Sequence, residues 1–286
     1  MPGSLDSIRV LDLTSMISGP LATMMLGDQG ADIIKVEAPG GGDHTRAGAN
    51  RRGSVSASFL HNNRSKRSAV IDLKTVAGRV VLLRLAATAD VFVQNFCPGV
   101  AERIGVGEEA VRAVAPTIIY VSISGFGEDG PYRGKPVYDP LMQGVSGLAS
   151  VQAGSDDERP RLVRTILSDK LIGIVAAQAV TAALFARART GEGQHVRLSM
   201  LDAVVAFLWA SDMGSQTLWA TACPSRRRRA SLTSSTTPPT RRSASRCSPT
   251  VNGTPWPGPS IVPAGWITPA SAPSPIDSAT STTASP

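Results

Sequence analysis

Short apolar runs alternate with helical patterns from Ile8 to Leu208, and this alternation constrains the fold more than any other feature. Ile8–Leu13 reads as a buried strand, Gly19-Pro20 opens the helical pattern Leu21–Asp28, and Gly30 stops it ahead of a second strand, Asp32–Val36. A crossover helix between two apolar strands implies parallel pairing and a right-handed connection. The pattern continues with a strand at Ser68–Leu73, an amphipathic helix at Val76–Ala87, a strand at Asp90–Gln94 and short helical pieces between Pro98-Gly99 and Ala115. Thr117–Ser124 and Gln194–Ser199 are strand-like, and Leu201–Leu208 returns to helix. The implied class is α/β: an open, mostly parallel, Rossmann-like sheet with helices on both faces and ligands at the carboxyl ends of its strands.

The most organised element is the apolar run Lys170–Ala188, entered through Leu167-Ser168-Asp169 and closed at Thr190-Gly191-Glu192-Gly193. Its spacing predicts one buried helix, with Ser168 or Asp169 capping the first turn, Arg187 and Arg189 in the last turn and Gly191 as the stop. An aspartate at the positive end of a helix is expected to stay ionised, and an ionised carboxylate in a dry cleft can act as a nucleophile. From the residues alone, Asp169 is a helix cap or a nucleophile.

The chain has 286 residues and 42% hydrophobic content, enough for a real core. Its net charge of +7 misleads, because everything after Cys223 holds seven arginines and a single acid, Asp277; subtracting these leaves 22 basic against 21 acidic residues. The body is close to neutral, and nucleic acid is not an expected partner. From Pro224 onward the chain is mostly Ser, Thr and Pro with a block at Arg226–Arg229, a composition that cannot bury enough surface to fold. The reading is therefore a domain at 1–223 and a tail at 224–286, either disordered or the product of a frameshift in a GC-rich gene. Cys97, Cys223 and Cys247 show no paired spacing and no leader pattern is visible, so a reducing cytoplasm is the expected compartment. The apolar run Leu171–Ala186 is shorter than the roughly 20 residues a bilayer requires, so no membrane segment is expected.

Glu37–Asp43 is a glycine-containing loop after a strand, but the first turn, Thr14–Gly19, carries no Gly-x-Gly-x-x-Gly, so a dinucleotide fingerprint is absent. The basic run Asn62–Arg67 reads as a solvated loop that could receive phosphates if it bordered a cleft. His44, His61 and His195 read as loop or surface residues and form no metal-ligand spacing; no metal is expected.

The order and spacing of Ile8–Leu13, Gly19-Pro20, Gly30–Glu37, Gly42-Asp43, Asp72-Leu73-Lys74, Asn95–Gly99, Ser124–Gly127 and Thr190–Gln194 resemble the class III CoA-transferases. That family includes formyl-CoA and carnitine CoA-transferases, with α-methylacyl-CoA racemase as a relative. The resemblance is expected to end near Cys223, where the family would continue into a smaller second domain.

It implies that Asp169 is the nucleophile. The carboxylate would attack an acyl-CoA thioester to give an aspartyl anhydride and CoA thiolate, which would return to form an aspartyl-CoA thioester before the acceptor acid takes the CoA. Backbone N–H groups of Ser124–Gly130 are candidates to hold developing oxyanions. It places coenzyme A on Ile71, Asp72, Leu73 and Lys74, on Asn95, Phe96 and Cys97, and on Arg103 and Lys135. The partners implied are an acyl-CoA, a carboxylic acid and a second copy in an interlocked homodimer. Cys97 and Ala38 stand where basic residues are common, Ile17 replaces a glutamine of formyl-CoA transferases, and Val137-Tyr138-Asp139 lacks the histidine of the racemase acid–base pair. Without the second domain the chain would be a truncated transferase or a non-catalytic, CoA-binding or dimerising remnant.

Overall fold

The computed structural model describes residues 2–154 and 157–213; Cys223, Cys247 and the segment 224–286 lie outside the described residues. In chain order the strands are β1 (Arg9–Asp12), β2 (Asp32–Glu37), β3 (Arg51–Arg52), β4 (Val55–Ser56), β5 (Lys66–Val70), β6 (Val91–Gln94), β7 (Ile119–Ser124) and β8 (His195–Ser199). The helices are α1 (Ser18–Asp28), α2 (Ala57–Asn63), α3 (Val76–Ala86), α4 (Val100–Arg103), α5 (Glu108–Val114), α6 (Asp139–Val145), α7 (Leu148–Val151), α8 (Leu167–Thr190) and α9 (Met200–Trp209).

Six strands form one sheet in the order β5-β2-β1-β6-β7-β8, and every pairing is parallel. The order grows outward in both directions from β1 and β6, so the two connections that leave these central strands diverge and open a crevice beyond their carboxyl ends. Residues alternate between two cores. Val10, Ile33, Val93 and Val121 pack with α1 and α8, while Leu11, Val36, Phe92 and Tyr120 pack with α3, α4 and α5. The expected α/β architecture, with helices on both faces, is what the chain forms.

α8 follows its sequence pattern. Ile172, Ala176 and Val180 are buried, and Gly191, at φ 75, ends the helix in the left-handed conformation. Gly173 lets α8 approach α1, since a Cβ there would stand 2.9 Å from the Ser18 carbonyl oxygen. At 24 residues α8 is long and apolar enough to cross a membrane, which corrects the expectation drawn from its shorter apolar run; the structure uses it as a core helix against α1 and the sheet.

The basic run before the third parallel strand is not a solvated loop. Asn63 ends α2, and Lys66 and Arg67 belong to β5, which starts two residues earlier than the apolar pattern suggests. The physical reason is a buried ionic network. Lys66 Nζ donates to Asp12 Oδ2 at 3.0 Å, to the Pro20 carbonyl at 2.9 Å and to Asn63 Oδ1 at 2.9 Å, which uses all three ammonium protons. Asp12 is fully buried and also accepts from the Thr14 N–H at 2.9 Å and from the hydroxyls of Thr14 and Thr23. Lys35, equally buried, pairs with Asp43 at 3.1 Å and donates to the Thr14 carbonyl at 2.8 Å.

Burial by itself would raise the Asp12 carboxyl, but Lys66, Lys35 and the two threonine hydroxyls outweigh it and hold the pKa down at about 2. Burial likewise opposes ionisation of Glu37, and hydrogen bonds from Arg46 bring it down to about 2. Both carboxyls titrate higher in the unfolded chain, so their stabilisation is complete above about pH 4.5 and is lost as pH falls toward 2. Asp12→Ala leaves Lys66 buried and without its carboxylate, and should cost about 3–5 kcal/mol in urea melts at pH 7. The pair Asp12→Leu with Lys66→Met should recover most of that loss. A single-variant cost below about 1 kcal/mol would contradict this account.

Candidate functional site

The loops that leave β1 and β6 meet at the crevice. Asn95 joins them, accepting from the Ser15 N–H at 3.0 Å and donating to the Ser15 carbonyl at 2.8 Å. Its amide, expected to contact coenzyme A, is thus committed to shaping the β1–α1 loop. Met16 follows in the left-handed region at φ 69, held there by a 3.2 Å hydrogen bond from its N–H to Asp43 Oδ1. A non-glycine residue kept in that region marks a loop whose shape is imposed by its surroundings.

Two clefts open along this edge. One, about 560 Å3, is bordered by Ser15–Ser18, Asn95–Pro98, the segment Arg133–Pro140 and Asp169. The other, about 330 Å3, lies between the ends of β1, β2 and β5 and includes Ile71, Asp72, Leu73 and Lys74. Phe96 borders both, so seven of the nine expected cofactor positions divide around its ring, four in the smaller cleft and three in the larger. Cys97 and Lys135 lie in the first cleft, and the Lys135 ammonium stands 3.8 Å from the centroid of the Tyr132 ring. Arg103, on the last turn of α4, is exposed and outside the walls of both clefts. Ala38 borders the smaller cleft and Ile17 the larger.

Asp169 lies in the first turn of α8, but neither it nor Ser168 caps the helix. Asp139, the first residue of α6, accepts from the Ser168 N–H at 2.7 Å through one carboxylate oxygen and from Gln143 Nε2 at 2.6 Å through the other. Gln143 in turn accepts from the Val163 N–H at 2.7 Å and donates to the Thr165 carbonyl at 3.2 Å, so α6 pins the approach to α8. The cap comes from 29 residues upstream, and its local trace is an Asp-Pro pair at a helix start. Having no part in capping, the Asp169 carboxyl is left facing the cleft.

Asp169 does not have the low pKa expected of an aspartate at a helix N-terminus. Burial first, then the Asp139 carboxylate, push it up to about 6. At neutral pH it is still ionised roughly ten to one, so it combines the charge of a nucleophile with greater basicity. In the neighbouring loop the Gly127 N–H donates to Ser124 Oγ at 3.1 Å, which removes that group from the candidate oxyanion donors of Ser124–Gly130. His195 is no surface residue either: it is half-buried in β8 and hydrogen-bonded through both ring nitrogens. One histidine in an alternating strand gives no sign of this.

A doubly wound parallel sheet with a carboxyl-edge cleft and a half-buried carboxylate of raised pKa defines the class as a Rossmann-like α/β protein. The chain belongs to CoA-transferase family III, whose model matches residues 5–242, past the point near Cys223 where the resemblance was expected to end. It is 40% identical over 206 residues to the acetyl-CoA:oxalate CoA-transferase of Acetobacter aceti, covering 72% of this chain and 53% of that one. It is 41% identical over 220 residues to the succinate–glutarate CoA-transferase of Agrobacterium fabrum (strain C58 / ATCC 33970), covering 73% and 54%. The crystal structure of a CAIB/BAIF family protein from Brucella suis superposes with a TM-score of 0.71 at 35% identity, over 76% of this chain and 58% of that one. The chain therefore spans about half the length of the curated relatives it matches.

Because the folded-state pKa of Asp169 is raised above its ordinary 3.8, its ionisation burdens the folded protein progressively from about pH 4 and fully above about pH 6. Asp169→Asn should therefore stabilise the chain by about 1–2 kcal/mol at pH 8 and by almost nothing at pH 4, after allowance for its partial exposure. Paired thermal melts at the two pH values measure this; a pH-independent difference would mean the site is wetter than described.

Proposed function

We propose that this cleft carries out acyl-CoA:carboxylate CoA transfer with Asp169 as the covalent nucleophile. The observation that carries the reading is the placement of an unpaired, basic carboxylate at the end of a cleft that continues past Phe96 to Asp72–Lys74. Family membership supports the reaction class, and the relatives' names put short carboxylic acids such as oxalate, succinate and glutarate first among acceptors to try.

In this reading the CoA end lies against Ile71–Lys74, Phe96 and Cys97, with Lys135 at the rim, and the thioester carbonyl carbon reaches Asp169. The carboxylate attacks, the C–S bond breaks, and the electron pair leaves with the thiolate, giving an aspartyl anhydride. Thiolate return expels the donor acid and leaves an aspartyl-CoA thioester, from which the acceptor carboxylate takes the CoA. Covalent capture divides one difficult exchange into shorter steps. With Tyr138 standing where the racemase branch has a histidine, proton exchange at the α-carbon lacks one partner. The working form in this reading is a cytoplasmic homodimer.

The second reading is a CoA-binding remnant without turnover, favoured by the chain's coverage of only about half of its relatives. Incubation with acetyl-CoA followed by hydroxylamine should convert Asp169 to its hydroxamate, detectable by peptide mass spectrometry. The yield should increase as pH rises through about 6, as the carboxylate forms, and vanish in Asp169→Ala. CoA binding by calorimetry without any trapped Asp169 would establish the remnant and overturn the catalytic reading.

A further inference from the structure

A third cavity, of about 590 Å3, lies on the other side of the Phe96–Pro98 loop, and its chemistry is not used by CoA transfer. Its floor is a polar row across three neighbouring strands: Gln94 of β6, Ser122 of β7 and His195 of β8, with Glu108 of α5 behind. Ser122 Oγ is 2.8 Å from His195 Nε2, and His195 Nδ1 is 2.9 Å from Glu108 Oε2. All four residues border the cavity.

The two ends of the row set its proton directions. Gln94 Oε1 accepts from the Phe96 N–H at 2.7 Å, so the amide nitrogen faces Ser122 and donates to its oxygen at 3.1 Å. At the other end the Glu108 carboxylate is an acceptor, so the ring hydrogen lies on Nδ1 and points to it. Nε2 of the neutral ring is then the acceptor for the Ser122 hydroxyl. Glu108 is further held in place by Arg112 Nε at 2.8 Å and Arg197 Nη2 at 3.6 Å. The groups around the ring, Arg197, Glu108 and Glu128, bear opposite charges, and burial followed by Arg197 draws the imidazole below its ordinary pKa, so it is neutral and available as a base at neutral pH.

We propose that Ser122, His195 and Glu108 form a nucleophile, base and orienting acid for hydrolysis of short acyl esters or thioesters, independent of Asp169. Ser122 Oγ attacks the carbonyl carbon while its proton passes to Nε2. The C–O or C–S bond then breaks, and the leaving group takes the proton from the imidazolium. Water attacks the acyl-serine with His195 again as base, releasing the acid and returning the proton to Ser122. Gln94 Nε2 donates to Ser122 Oγ and orients the attacking oxygen.

The test uses the whole chain in an Asp169→Ala background, so that failure here leaves the transferase reading untouched. A fluorophosphonate probe should label Ser122, identified by peptide mass spectrometry, and p-nitrophenyl acetate should be hydrolysed. His195→Gln, which keeps a polar side chain but loses the base, should slow both at least a hundredfold, and Ser122→Ala should abolish them. Circular dichroism confirms that each variant is folded. Folded protein that takes no label at Ser122, or whose labelling rate is unchanged in His195→Gln, would show that the row is only a structural network and overturn the proposal.

Discussion

The buried charges of Asp12, Lys66, Lys35 and Asp43 are the constraint on which the ligand edge depends. Four ionised groups removed from water are tolerable only when each has its partners, and here several of those partners belong to the loop that borders the crevice. Asp12 and Lys35 grip Thr14 from its two sides, Lys66 binds the Pro20 carbonyl in the first turn of α1, and Asp43 takes the Met16 N–H. The β1–α1 loop therefore has one shape, including a methionine in the left-handed region. Gly19 belongs to the same packing, since a Cβ there would stand 2.3 Å from the Thr14 side chain. A hydrophobic substitute for the network could fill its volume but could not direct those hydrogen bonds.

A second arrangement of the same kind prepares Asp169. Because Asp139 supplies the helix cap from α6, Asp169 keeps its oxygens for the cleft, where burial first and then the neighbouring Asp139 make it more basic. One residue thus frees the carboxylate and tunes it. Asn95 and Gln94 play comparable parts on the neighbouring loop, where the first fastens Ser15 and the second fastens the Phe96 N–H. Phe96 lies where all three clefts meet, so its placement couples the CoA edge to the polar cavity beyond it.

Much of the fold was legible in advance because its signals are local. β2 and α3 fall within one residue of their apolar patterns, and α8 carries its own stop at Gly191. β5 was read two residues late, because Lys66 looks solvated until Asp12 is brought opposite it, while Arg67 stays exposed beside Asp32. The site followed the same division. Asp169 and the residues of Ile71–Lys74, Phe96, Cys97 and Lys135 do gather at the strand ends, whereas Asn95 is occupied by Ser15 and Arg103 stands outside.

By itself the sequence determined the layer order, the parallel sheet and the position of Asp169 at a helix start, because periodicity and glycine placement act within a few residues. Only the tertiary structure decided what Asp169 is. The sequence pattern makes it an ionised cap, while Asp139, 29 residues upstream of the N–H that it caps, relieves it of capping, and burial together with Asp139 makes it more basic. The same holds for His195, an unremarked residue of an alternating strand until Ser122 and Glu108 close on its two nitrogens. Charge and proton placement depend on partners across the sheet, and those contacts exist only once the strands are paired.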